Sequence, residues 1–425
     1  MTASENTSRM AAPWLVVLVV SLFFIWGGAT SLNDVLVPKL KGLFQLNYAE
    51  AMLIQFAFFT AYFVVSAPAG ALVAKLGYGR GMAAGLVIMA IGCAIFFPAA
   101  ATATYGLFLG ALFVLAGGIT ILQVAANPLI DRLGSERTAA ARLTFAQAFN
   151  SLGTTIMPWI GAQLILGGAA KSSAPPVDAA ARAKEAAVIG HAYLAIAVAL
   201  AVLAAVFWAV RTRLGAAGQA PRLSGSLALL KRPRLGFGVL AIFLYVGAEV
   251  TIGSVLTNFL MQPQVLGLDQ HAAGEHLSLY WGGAMVGRFI GAGLLWFAKP
   301  GKVLAGAAVG AGALALIAAA THGPIAGWAL IAVGLMNSIM FPTIFSLALE
   351  GLGAKTPQGS GLLCMAIVGG AVVPVLGGAV ADATSLALAL IVPAVCYAAI
   401  AAFGWSARKA APPLELTPAA GPSIL

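Results

Sequence analysis

The sequence predicts an all-α polytopic membrane protein, with twelve transmembrane helices in two pseudo-symmetric six-helix bundles. Three observations carry that reading. The chain is 61% hydrophobic and 8% charged, with 50 Gly and 21 Pro in 425 residues, and its mean hydropathy is +0.98. It divides into twelve apolar stretches of about 20 residues, the length that crosses a bilayer core. Polar and proline positions in the first six stretches recur in the last six. The runs are continuous and lack the period-2 alternation of an outer-membrane barrel, so helices are expected and not strands.

The first stretch, 13–42, is too long for the apolar core of a signal peptide and lacks a convincing cleavage site, so it stays as a helix. It holds Asp34, in TSLND. A charge inside a span costs roughly 2.5–3.5 kcal/mol on insertion scales, so the default reading is a functional group facing a polar cavity or partner. The second stretch, 48–74, carries Gln55, and the third, 81–99, carries Cys93. In the fourth, 105–130, Gln123 lies five residues before Pro128, and Asn127 shares its helical face. The fifth, 143–168, holds Gln147 and Asn150, again on one face, followed by Gly153, Pro158 and Gly161. A long connection, 169–189, with a Pro pair and alternating charge, reads as a flexible loop able to hold a short surface helix before the sixth stretch, 190–211. Glu249 lies in the seventh, 235–262, and Arg288 in the eighth, 273–298. At about 1.5 Å per residue their depths differ by a turn or two, so an ion pair with a structural or gating role is expected. After the ninth, 303–320, the tenth, 325–349, places Asn337 five residues before Pro342. The eleventh, 359–381, repeats the fifth's spacing as Gly369, Pro374 and Gly377, and the twelfth is 386–408. Cys93, Cys364 and Cys396 sit in apolar stretches without metal or redox spacing and read as buried thiols.

Lysine and arginine give the expected orientation. Seventeen fall in tails and loops on the amino-terminal side and five on the other, and such an excess marks the cytoplasmic face. Both termini are therefore expected in the cytoplasm, and the net charge of +10 reports topology and not a nucleic-acid patch. The expected organisation is a tail at 1–12, a first bundle at 13–211, a linker at 212–234, a second bundle at 235–408 and a tail at 409–425. Amides placed alike ahead of paired prolines point to a site between the repeats, because proline frees a backbone carbonyl that can line a cavity. Pro128 and Pro342 are accordingly structural or gating candidates.

Twelve helices with cytoplasmic ends, two similar halves and a central linker resemble the major facilitator superfamily. The loop GALVAKLGYGRG, from Gly70 to Gly81, resembles that superfamily's basic glycine-rich loop, with Ala74 near the place of the usual acid. GLLWFAKPGK after the eighth stretch echoes it. Four further runs occur in order: FFIWGGATSLNDVLVP, NYAEAMLIQFAFFTAYF, GITILQVAANP and RLTFAQAFNSLGTTIMP. They are similar to the fucose/galactose/glucose:cation symporter family, and closest in wording to its bacterial glucose/galactose transporters. LYVGAEVTIGS and YWGGAMVGRFIG extend the resemblance into the second half. It implies a hexose substrate, a bacterial inner membrane, Asp34 as the coupling carboxylate and Trp26 as an aromatic facing the sugar. Where the fucose branch has a second carboxylate this chain has Gln123, which argues against a relay of two acids.

The chemistry of the residues agrees with these places. Hexose hydroxyls donate and accept, so a site needs amides and carboxylates, with aromatic faces for the C–H patches. Asn33, Gln55, Gln123, Asn127, Gln147, Asn150 and Asn337 supply amides, Glu249 is a further sugar contact, and Trp26, Tyr245, Tyr280 and Trp281 are candidate platforms. Asp34 can couple by taking a proton, if desolvation raises its pKa, or by binding sodium with neutral oxygens. Thr30, Ser31, Gln123, Asn127 and Thr154 are the candidate oxygens. Lacking the second acid, sodium at Asp34 is favoured over the proton, with an uncoupled uniporter as the remaining option. The expected partners are a hexose, a monovalent cation and the bilayer, for a monomer with no cofactor. Alternating access between the halves is the expected mechanism. A related permease for fucose or N-acetylglucosamine is the alternative. An enzyme is disfavoured because no nucleophile–base pair, metal cluster or phosphate loop is present, and no histidine falls near the midplane.

Overall fold

The computed structural model describes residues 13–45, 48–133, 135–161, 179–214, 227–268 and 270–410. Nine spans are single helices: α1 (Pro13–Phe44), α2 (Tyr48–Leu76), α3 (Tyr78–Ala101), α4 (Tyr105–Arg132), α5 (Ala139–Gly161), α6 (Ala179–Val210), α7 (Pro233–Met261), α8 (Gln270–Phe297) and α9 (Pro300–Ala320). Three are interrupted. α10 runs as Gly323–Asn337 and Met340–Leu349, α11 as Thr356–Met365 and Gly369–Ala383, and α12 as Leu386–Ala389 and Ile391–Ser406. The expected loop at 169–189 is shorter than predicted, since α6 already begins at Ala179. The tail at 1–12, all but two residues of the tail at 409–425 and about half of the linker lie outside the described residues.

Among the described residues, ten helical stretches are long and apolar enough to cross a membrane. α5, described only to Gly161 where the sequence predicts a span to 168, and α8 are the two that do not reach that measure. Both carry polar side chains along the face that meets the opposite half: Gln147 and Ser151 on α5, Arg288 on α8. Those two helices pack on each other, so their polarity faces protein and not lipid.

Pairing within the halves follows one scheme. In the first, α1 packs on α5, α2 on α4, and α3 on α4 and α6; in the second, α7 packs on α11, α8 on α10, and α9 on α10 and α12. The repeated glycines explain part of this. A Cβ on Gly153 would lie 2.1 Å from the Phe24 carbonyl oxygen, and one on Gly369 would lie 2.0 Å from that of Phe243. Each glycine thus lets α5 or α11 rest directly on the backbone of the first helix of its half, where any side chain would clash.

Between the halves, α2 meets α11 and α5 meets α8, contacts that exchange under the same two-fold relation, while α4 also touches α11 and α5 touches α10. Arg132, Arg137, Lys299 and Arg408 surround one cavity at the ends of α4, α5, α8 and α12. This end is called the basic end below. The halves close on each other there: a Cβ on Gly361 of α11 would come within 2.6 Å of the Ser66 carbonyl oxygen of α2.

Candidate functional site

The two prolines of α4 and α10 do what their pairing predicts. Pro128 offers no N–H to the carbonyl four residues back, that of Val124, and Ser360 of α11 takes it instead, with Oγ donating at 3.0 Å across the interface. Pro342 likewise leaves Ser338, and the Arg288 Nε donates to that carbonyl at 3.2 Å. The second guanidinium arm reaches over to the Ser151 Oγ of α5. One freed carbonyl is therefore held across the halves and the other within its own half.

The amides ahead of those prolines are also deployed alike. Gln123 Nε2 donates to the Tyr62 hydroxyl of α2 at 2.8 Å, and Asn337 Nδ2 donates to the Tyr280 hydroxyl of α8 at 2.9 Å. α2 and α8 are equivalent in the two halves, so the same amide–tyrosine pair is built twice. Tyr62 is absent from the sequence-based candidates; its signal is its place on α2, the counterpart of Tyr280 on α8. Tyr245 completes the second-half cluster, donating to Glu249 Oε1 at 2.7 Å and lying 3.2 Å from the Asn337 carbonyl oxygen. Tyr280 in turn sits 3.3 Å from the Glu249 carbonyl oxygen.

The expected Glu249–Arg288 ion pair is not formed. The two are within Coulombic reach, yet Arg288 lies on the α8 face turned towards α5 and spends its donors on Ser338 and Ser151, while Tyr245, one turn away on the same helix, caps Glu249. Asn150 has one arm taken. Its Nδ2 donates to the Phe23 carbonyl oxygen at 3.1 Å, tying α5 to α1. Trp26 is 2% exposed and packs against Phe23, with ring centroids 4.2 Å apart; Tyr245 and Tyr280 are likewise buried. The ring left open is Trp281, 44% exposed, seven residues from Arg288 and so on the same α8 face. Gln147 is buried one turn from Ser151 on α5.

The side chains of Asn33, Asp34 and Gln55 lie outside the described residues. The backbone of α1 still gives the depth of position 34. Arg142 donates to the carbonyls of Ile130 and Asp131, which sets α4 against α5 and brings Asn150 level with Gln123. Gly27 of α1 packs on Asn150. At about 1.5 Å per residue, position 34 is then about 10 Å from the level of Gln123 and about 16 Å from that of Asn127. By register Thr30, one turn from position 34 on the same helix, is nearer in level than Gln123 or Asn127. Thr30 itself donates to the Trp26 carbonyl oxygen at 2.8 Å.

Below the central cluster, towards the basic end, several buried polar groups have no partner. Both amide atoms of Asn127 and Gln358 and the hydroxyls of Thr144 and Thr343 are unpaired, each costing about 1–3 kcal/mol when shut away from water. One turn further, Ser346 Oγ of α10 donates to Asp131 Oδ1 of α4 at 2.6 Å, linking the halves. Arg234 and Glu350 form an ion pair beside it, joining α7 to α10 within the second half. The cavity at this end, about 890 Å³, reaches Asp131 and Ser346.

Polar groups gathered on both sides of the half-interface suit a polar solute, and no group of metal ligands occurs among the described residues. Comparison with known proteins agrees. Residues 18–366 match the sequence profile of the Major Facilitator Superfamily. The chain is 51% identical over 408 residues to the glucose/galactose transporter of Brucella abortus biovar 1 (strain 9-941), covering 96% of this chain and 97% of that one. It is 36% identical over 400 residues to the L-fucose-proton symporter of Escherichia coli (strain K12), covering 91% of each. A crystal structure of the superfamily transporter FucP in the outward conformation superposes with a TM-score of 0.83 at 35% identity, covering 93% of this chain and 99% of that one.

Proposed function

Because the chain belongs to the Major Facilitator Superfamily, within its fucose/galactose/glucose:cation symporter family, we propose that it imports a hexose of the glucose/galactose type by cation symport. It is a multi-pass membrane transporter and not an enzyme. The observation that carries the sugar reading is the doubled amide–tyrosine pair, Gln123 with Tyr62 and Asn337 with Tyr280, which sets donor–acceptor groups on both sides of the half-interface. Sugar hydroxyls need such groups, and Trp281 offers an open ring for a C–H face. Identity across nearly the full length of a transporter named for glucose and galactose supports the same substrate class.

Asp34 carries the coupling ion in this proposal, and that ion is a proton in preference to the sodium favoured by sequence. A sodium ion needs several oxygens gathered round the carboxylate, and by helix register the levels of Gln123 and Asn127 lie about 10 Å and about 16 Å from that of position 34. A relative at 36% identity is named a proton symporter. The basic end faces the cytoplasm of a bacterial inner membrane, following the lysine and arginine bias, and the sugar leaves there when the halves rock apart.

The test is uptake of labelled glucose into proteoliposomes with proton and sodium gradients imposed separately. An inward proton gradient is expected to drive accumulation and a sodium gradient alone to have no effect; the reverse result would overturn proton coupling. Asp34→Asn is expected to abolish accumulation while keeping sugar exchange. Competition by galactose, fucose and N-acetylglucosamine then ranks the substrates, and failure of every sugar to compete would sink the sugar reading.

A further inference from the structure

We propose a second sugar position, on the basic side of the central cluster, formed by Asn127, Thr144 and Thr343. The inference rests on the sugar-transport reading above and adds a place to it. Its starting point is the set of unpaired polar atoms inside the closed interface: Asn127 Nδ2 and Oδ1, Thr144 Oγ1 and Thr343 Oγ1, each on a residue that is 0% exposed.

Register brings the three towards one another. Asp131 and Ser346 meet at the basic end of α4 and α10, and those two helices run in the same direction. Asn127 lies four residues before Asp131 and Thr343 three before Ser346, so each stands about one turn deeper on the face that makes that contact. Thr144 belongs to the α5 face that also carries Ala140 and Ala141, which pack on Leu295 and Ile339 of the other half. The three side chains thus come from α4, α5 and α10 and point into the seam between the halves.

The seam is also on a path. Above it lie Gln123 and the Arg288–Ser151 bridge, which belong to the central cluster. Below it, the Asp131–Ser346 contact closes it off from the cavity at the basic end, whose wall those two residues share. When that contact parts, the amide and the two hydroxyls come to face whatever leaves the central cluster. An amide offers a donor and an acceptor side by side, and a hydroxyl offers both on one atom, which is the pattern a vicinal diol requires. The partner chemistry is therefore a polyhydroxylated neutral solute, the same sugar in transit.

The test separates the two faces of the carrier. Thr144→Val and Thr343→Val keep shape and remove the hydroxyls, and the double variant is reconstituted with sidedness fixed. Sugar presented at the basic end should show a KM raised about tenfold, the loss of two ordinary hydrogen bonds. Sugar presented at the opposite end should keep its KM within twofold, and the thermal midpoint should not fall, since buried unpaired hydroxyls are removed. A KM unchanged at both ends would overturn the proposal and leave these groups to ordered water. An equal rise at both ends would overturn it too, by placing the hydroxyls in the central site. Wild-type protein that binds no sugar from either end would instead refute the transport reading beneath it.

Discussion

Tyr62 and Tyr280 each hold one amide in place, and the amide is what a sugar hydroxyl would meet. Tyr62→Phe and Tyr280→Phe should each weaken sugar binding by about two- to tenfold, the range of one net hydrogen bond, with little change in thermal midpoint; titration of intrinsic fluorescence with sugar measures it. The sequence made Gln123 and Asn337 legible, because each stands five residues before a proline and a polar group in a span is expensive. It did not reveal which amide donors are already spent on a neighbouring backbone. Asn150 looks identical to Gln147 in sequence, and only the approach of α1, permitted by Gly27, shows that its donor is taken by the Phe23 carbonyl oxygen. The ion pair expected of Arg288 is missing for a similar reason: depth along a helix can be counted, but the face it presents to a third helix cannot.

For single helices, proline and glycine carry most of the argument. Pro342→Ala would restore an N–H that competes with Arg288 for the Ser338 carbonyl, straightening α10 where it now breaks after Asn337. The expected result is a severalfold drop in kcat with sugar affinity changed less, read from parallel uptake and binding curves. Gly369→Val should act differently, because its Cβ has no room against the Phe243 carbonyl oxygen. Overpacking of this kind costs about 1–3 kcal/mol, and a lowered thermal midpoint of the detergent-solubilised protein would register it. The repeat of Gly153 and Gly369 was readable as spacing, and its cause, direct seating on a neighbouring backbone, came from the fold. Helix ends were legible to within a few residues in most cases, since loops are marked by charge and proline. α6 is the exception, because its first turns carry Arg182, Lys184 and Glu185 and resemble a loop by hydropathy alone.

At the scale of the whole transporter, a side-chain hydrogen bond between α4 and α10 joins the halves at the basic end. Ser346→Ala removes the hydroxyl that holds Asp131 across the seam; a net hydrogen bond contributes about 0.5–1.5 kcal/mol, so the open population should rise about two- to tenfold. Spin-label distances between the basic ends of α4 and α10 would report the shift. No sequence pattern marks Ser346 and Asp131 as partners, since their meeting depends on how two separate bundles register. The proline pair has one more consequence at this scale. The Ser338 carbonyl keeps its arginine whichever way the halves tilt, because both belong to the second bundle, but the Val124 carbonyl loses Ser360 when the seam opens and Pro128 denies it any helical substitute. Water must then take that place at mid-depth. Each cycle accordingly draws solvent in and expels it again, which makes water activity a thermodynamic variable of transport: excluded osmolytes should hold the basic end shut and slow turnover at constant sugar and ion gradients.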